Sequence, residues 1–426
     1  MKYILTLLIL GQILMAATIQ NIQVNETKVP LIFESDTRLP LVTMQFTFTN
    51  SGSITDTTKA GLAKFSAKLM NEGTKALGSS AFAEALESKA IHIAASTGVE
   101  TFVIEVGCLK EELDEALAQF EALLKDPNYT QKSVDKIKTM TLGALSAKEN
   151  NFDYVAANEL KALIFKGTVL AQPTNGTIQS VKSVELSDVK EFLTSHLTRS
   201  NLIVVLGGDV DLKSVKPKIA QIIKSLPEGN VDPVKHYDTI KKRTQNILKK
   251  DTQQAYVYFA SPYDIAVDSK DYYKARVATF ILGTGGFGSR LMEEIRVKRG
   301  LAYSAYANVS VSKSSNYLTG YLQTKLDSLE EAQKTVNEVF AKFVKKGVTK
   351  DELEQTKKFI LGSEPLRVET MSQRLSRTFM EYYKGFELGH SDHELELIQN
   401  LKLKDLNEYI KKHKEILDLS FAIVTK

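Results

Sequence analysis

Two stretches of this chain repeat one pattern of apolar and polar positions. The segment Glu111–Leu124 places Leu113, Ala116, Phe120, Leu123 and Leu124 on one helical face. About 216 residues later, Asp327–Phe340 places Leu329, Ala332, Val336, Val339 and Phe340 on the same face in register. A second pair follows at nearly the same offset. Val181, Val184, Leu186, Asp188, Val189, Phe192, Leu193 and His196 fall on Ile398, Leu401, Leu403, Asp405, Leu406, Tyr409, Ile410 and His413. Each copy then ends in an apolar strand, Asn201–Leu206 and Leu419–Val424. Agreement over separate segments predicts a duplicated domain of roughly 200 residues.

Strands such as Pro40–Phe48 and Gln254–Phe259 occur in runs, separated by runs of helical pattern. That arrangement predicts an α+β fold, two tandem homologous α/β sandwich domains forming half of a clamshell. The expected boundaries are 18–228 and 251–426. The lysine-rich stretch 229–250, with Pro233 and few periodic apolar positions, reads as a linker able to work as a hinge.

The first 17 residues have their own pattern. Lys2 precedes the apolar run Ile4–Leu10, which continues through Ile13, Leu14 and Met15 to the small Ala16 and Ala17. This reads as a secretory signal peptide, and its cleavage would leave an exported, periplasmic protein. Membrane association is expected only if the segment is retained.

The whole chain has 426 residues, 43% of them hydrophobic and 25% charged, enough for two cores. A net charge of +4 is small beside 55 basic and 51 acidic residues, and no basic stripe interleaved with aromatics argues for a nucleic-acid partner. Cys108 is the only cysteine and follows the strand-like Thr101–Val106, so it reads as a buried small hydrophobe.

Candidate chemistry begins at Gly61-Leu-Ala-Lys-Phe-Ser-Ala-Lys-Leu-Met-Asn-Glu-Gly-Thr74, a helix-sized stretch. Lys64 and Lys68 stand one helical turn apart and share a face. Two histidines at that spacing would aim both nitrogens at one metal ion, whereas ammonium groups offer no lone pair. Ala67 lies between them and supplies no general base. The plain alternative is an amphipathic helix with solvated lysines.

The second half carries Gly285-Gly-Phe-Gly-Ser-Arg-Leu-Met-Glu-Glu-Ile-Arg-Val-Lys-Arg-Gly-Leu-Ala-Tyr-Ser-Ala-Tyr306. Ser289 or Gly288 can cap a helix running through Leu291, Ile295 and Val297, with Gly300 as a left-handed stop. Arg296 then falls in the last turn and Tyr303 on the strand that follows. A guanidinium there can clamp a carbonyl or carboxylate, and a phenol can donate to an oxyanion.

Both segments resemble the inverted zincins of the pitrilysin, insulinase and mitochondrial processing peptidase class. That class reads roughly Gly-Leu-Ala-His-x-x-Glu-His-Met-x-x-x-Gly-Thr at the first and Ser-Arg-Leu-Phe-x-x-Leu-Arg-x-x-x-Gly-Leu-Ala-Tyr at the second. With the repeat and the length, the resemblance covers essentially the whole mature chain. It makes Lys64, Ala67 and Lys68 degenerate zinc-motif positions. The third ligand of the class, a glutamate roughly 75 residues further on, is missing from Thr141–Ala147, where the next acid is Glu149. The resemblance implies no metal on this chain and no autonomous catalytic residue.

The resemblance also implies that Arg296 and Tyr303 form a substrate-side pair, with Gly285, Gly286 and Gly288 as a loop that lets a peptide approach. The chain then resembles the metal-free subunit of a heterodimeric zinc peptidase, whose homologous partner carries zinc. A retired peptidase fold serving as scaffold or assembly core is the alternative, and a self-sufficient peptidase with other catalytic residues is a third reading.

Two other strings are decoys. Gly283-Thr-Gly-Gly-Phe-Gly288 fits a dinucleotide pattern, but Tyr272–Leu282 before it reads as helix rather than the strand such a site needs. His390-Ser-Asp-His-Glu394 reads as a loop after Gly385 and Gly389 rather than a metal site.

Overall fold

The computed structural model describes residues 17–426, so the expected signal peptide over 1–17 lies, but for its last residue, outside the described residues. The first sheet contains β1 (Thr18–Val24), β2 (Thr27–Ser35), β3 (Leu41–Thr49), β4 (His92–Thr97), β5 (Thr101–Leu109) and β6 (Leu202–Gly208). The second contains β7 (Gln245–Lys249), β8 (Gln254–Pro262), β9 (Ala302–Val311), β10 (Asn316–Lys325) and β11 (Ser420–Thr425).

The strand orders are β1-β2-β6-β3-β5-β4 and β7-β11-β8-β10-β9. Without β1 the two orders are the same, each with one parallel pair, β2 with β6 and β7 with β11, at the same place. The molecule is therefore two tandem copies of one α/β sandwich.

Each copy buries one sheet face under its own helices. Val42, Met44, Phe46 and Phe48 alternate along β3 toward that side, as period-two patterning requires. Phe120 of the helix Leu113–Lys125 meets Phe46 at 4.3 Å between ring centres. In the second copy, Phe340 of Leu329–Lys346 meets Phe259 at 5.9 Å. Cys108 is buried in the first core, and its thiol is pushed up to about 11 by burial.

The opposite sheet faces are covered by exchange. The helix Phe152–Ile164 belongs to the first half but packs Leu160 and Ile164 on Ala260 and Ala422 of the second sheet. The helix Met371–Lys384 belongs to the second half but packs Leu375 and Tyr383 on Ile32, Ile203 and Val205 of the first. It comes so close that a Cβ on Gly207 would lie 2.4 Å from Leu375 Cδ1. Because both faces are covered, β6 and β11 are buried along their whole lengths, which explains their continuous apolar runs.

Each half thus covers a face of the other's sheet, on either side of the join expected to work as a hinge. The stretch expected to be a linker over 229–250 differs from that reading, since its last residues form β7 beside β11. A short edge strand, Gln-Asn-Ile-Leu-Lys, has too little apolar content to stand out from a polar join. Before it, residues 227–244 contain no helix or strand, yet Tyr237 N–H donates to Ser314 O at 2.8 Å and Ile240 N–H to Ile164 O at 2.8 Å. His390–Asn400 is a helix started by Gly389, where a loop was expected. No helix among the described residues is long and apolar enough to cross a membrane.

Candidate functional site

The metal-position helix spans Leu62–Met70. Gly61 has no side chain to cap it, and the buried Asp56 does so from a distance. Its carboxyl accepts N–H bonds from Gly61 at 2.9 Å and Ala63 at 2.8 Å, while burial pushes its pKa up to about 7. At the other end, Asn71 exchanges two hydrogen bonds with Ala95 on β4, at 2.7 and 2.9 Å. Ala63, Phe65, Ala67, Leu69 and Met70 face the core. Lys64 and Lys68 remain half-buried on the outer face.

Across from them runs the helix Gln131–Lys148. Lys68 Nζ donates to Oγ1 of the buried Thr141 at 2.9 Å. Burial lowers the pKa of Lys64 and of Lys68; Lys148 lowers both further, and Lys64 adds to the effect on Lys68. Three cations therefore act on one another at the place where the resemblance puts zinc. Protonated lysines, a hydroxyl and the methyl of Ala67 do not fit that ion: they supply no imidazole or carboxylate ligand and no base for a bound water. Glu149 lies beyond the helix and is exposed. Among the described residues, no group of three or more His, Cys, Asp or Glu is placed to hold a metal ion.

The second candidate lies in the connection from β8 to β9, the counterpart of the β3–β4 connection that carries the metal-position helix. The helix Tyr272–Thr279 widens into a π-turn over Phe280–Thr284, so the glycine string follows a helix and lacks the strand of a dinucleotide site. Gly286 adopts φ +59, and a Cβ on Gly285 would lie 2.8 Å from Phe280 O. Nothing lies within 4 Å of a Cβ built on Gly288, so the surface beside it is open.

Ser289 caps the next helical segment, accepting from Met292 N–H at 3.4 Å and donating to Gly286 O at 2.8 Å. The segment starts as a turn at Arg290–Met292 and widens into a π-turn over Glu293–Val297, a distortion frequent at functional sites. Leu291 and Ile295 are buried beneath it. Arg290 is a structural anchor: its guanidinium reaches Glu352 at 2.7 and 2.8 Å and Gly347 O at 2.7 Å. Gly300, with φ +63, ends the segment and turns the chain into β9.

Arg296 is held differently. Its guanidinium carbon lies 4.2 Å from the centre of the Tyr303 ring and 4.5 Å from that of Phe287. Tyr303 is 82% exposed and Phe287 64%. Glu294 is engaged by Lys298 at 2.8 Å and Arg299 at 2.6 Å, and these bonds bring its carboxyl down to about 2. Arg296 makes no ion pair or side-chain hydrogen bond among the described residues, so its N–H donors stay free. The structure thus places Arg296 against Tyr303, the two residues that the resemblance pairs, and adds Phe287. An aromatic residue set among exposed glycines was the only signal for it.

The described chain is thus a duplicated sandwich with lysines along the helix Leu62–Met70 and an arginine held by two aromatic rings. The model of the insulinase family, peptidase family M16, matches residues 34–178, and that of the peptidase M16 inactive domain matches 183–360. A Helicobacter pylori protein described as "Non-peptidase homolog YmxG" is 42% identical, covering 100% of this chain and 99% of the relative. The chain belongs to peptidase family M16. Among solved structures, a peptidase M16 inactive domain from Pseudomonas fluorescens superposes with a TM-score of 0.87 at 22% identity, covering 96% of this chain and 98% of that one. A protease from Helicobacter pylori gives 0.84 at 16% identity, covering 96% and 100%. Both likenesses concern the fold alone.

Proposed function

We propose that this chain is the metal-free, substrate-binding subunit of a two-chain zinc peptidase. The observation that carries this reading is the unpaired Arg296 guanidinium, held by two exposed rings in a chain whose own metal position cannot bind zinc. Arg296 grips a backbone carbonyl or carboxylate of the peptide, and the Tyr303 hydroxyl donates to the oxygen that gains charge during hydrolysis. Zinc, its ligands and the base belong to a homologous partner. Export to the periplasm, directed by residues 1–17, is part of the same proposal.

The test is to mix the chain with a family member carrying the intact zinc motif, sought first in a neighbouring reading frame. Peptide hydrolysis should appear that neither chain shows alone. Arg296→Ala or Tyr303→Phe should lower it on the order of a hundredfold, as loss of an oxyanion donor does. Unchanged turnover in both variants would remove this reading. It would leave the second one, a scaffold or assembly core, which the description of the 42% identical relative as a non-peptidase homolog favours.

A further inference from the structure

The lysines at the emptied metal position make up a site of their own. Lys64 and Lys68 lie on one face of their helix, and like charges four residues apart repel. Lys148, at the end of the neighbouring helix, is near enough for its charge to act on both, and its Nζ lies 4.6 Å from the centre of the Tyr154 ring. All three are half-buried, and Lys68 is oriented by Thr141. Other lysines nearby find carboxylates, Lys59 with Asp188 at 2.5 Å and Lys136 with Glu72 at 2.7 Å. Among the described residues, Lys64, Lys68 and Lys148 have no ion-pair partner. Three half-buried cations without a counter-charge form a site that an anion completes.

We infer that this cluster is a carboxylate-binding site, in which Lys64, Lys68 and Lys148 hold an acidic side chain of a peptide bound to the first domain. A carboxylate accepts from two ammonium groups at once. In a chain of a peptidase family, the anion that reaches this helix arrives on a peptide. The inference does not require a zinc-bearing partner, since it concerns binding by this chain alone.

Fluorescence anisotropy on the full chain tests it. The probe is a labelled extended peptide with two glutamates and an amidated end; its control has glutamines in their place. The glutamate peptide should bind on the order of tenfold tighter, the scale of a lost charge-assisted hydrogen bond. Lys64→Ala with Lys68→Ala should erase that preference and leave the glutamine peptide unaffected. Lys68→Gln, which keeps much of the stem, should reduce the preference without disturbing the fold. Equal affinity for the two peptides, or a preference that survives loss of all three lysines, would overturn the site. Inorganic phosphate binding more tightly than the glutamate peptide would overturn its assignment to peptides.

Discussion

The Arg296 guanidinium carbon lies 4.2 Å from the centre of the Tyr303 ring, and no carboxylate among the described residues pairs with it. Stacking fixes a planar cation without using its N–H donors, whereas the ion pair of Arg290 with Glu352 engages Nε and Nη2. Two arginines six positions apart on one segment are thus assigned different work by their neighbours.

Removing an aromatic wall should affect Arg296 far more than the fold. Phe287→Ala or Tyr303→Ala truncates an exposed ring, so the unfolding free energy should move by no more than about 0.5 kcal/mol. Thermal unfolding of each variant beside the parent protein measures this. A drop of many degrees would show that the rings support the domain.

Metal binding should return when the ligand types return. With Lys64→His, Lys68→His and Thr141→Glu combined, zinc should bind at one equivalent, measured by calorimetry and by metal analysis after dialysis. Ala67 is left alone because it is buried, and a carboxylate there would be costly without a partner. No zinc uptake by the folded triple variant would show that the two helices do not present a metal geometry.

Besides its apolar contacts, the exchanged helix Met371–Lys384 is tied to the first sheet by the charge of Arg374. Arg374 reaches Glu34 Oε1 at 2.8 and 2.5 Å and Asp36 at 3.1 Å, and Glu34 is only 3% exposed. Arg374→Ala strands a buried carboxylate and should cost about 3–5 kcal/mol, whereas Arg374→Met with Glu34→Met should recover most of that loss. Denaturant unfolding of the two variants decides, and equal losses in both would contradict a stranded charge as the cause.

The turn that carries Arg296 should weaken in acid. Hydrogen bonds from Lys298 and then Arg299 bring Glu294 from its ordinary 4.5 down to about 2. Its contribution is complete above the ordinary value and is lost as pH falls from there through about 2. The site is exposed, so the effect is small. In Glu294→Gln the fall in melting temperature across that window should be shallower than in the parent protein; parallel curves would show that the pair contributes nothing.

Much of the architecture was legible because it depends on local periodicity. The repeated apolar faces around Phe120 and Phe340, the two terminal strands of the copies, and the cap at Ser289 all follow from short-range spacing. Arg296 and Tyr303 were paired by the resemblance, and the helix stop at Gly300 told only that one ends a helix and the other lies on the strand that follows. Phe287 was not, since nothing local says that a ring on a glycine loop will fold back over an arginine. Lys148 was overlooked for a related reason: it joins Lys64 and Lys68 only when two helices pack side by side.

By itself the sequence determined that there are two copies, which face of each helix is apolar, and that the metal-position helix carries ammonium groups where ligands would stand. Those properties reside in residue type and spacing along a single element. Only the tertiary structure decided that Phe152–Ile164 and Met371–Lys384 each cover the other half's sheet, and that three cations share one unpaired place. An apolar face specifies that it must be buried but not against what, because hydrophobic burial is non-directional. The partner is chosen by the packing of the whole chain.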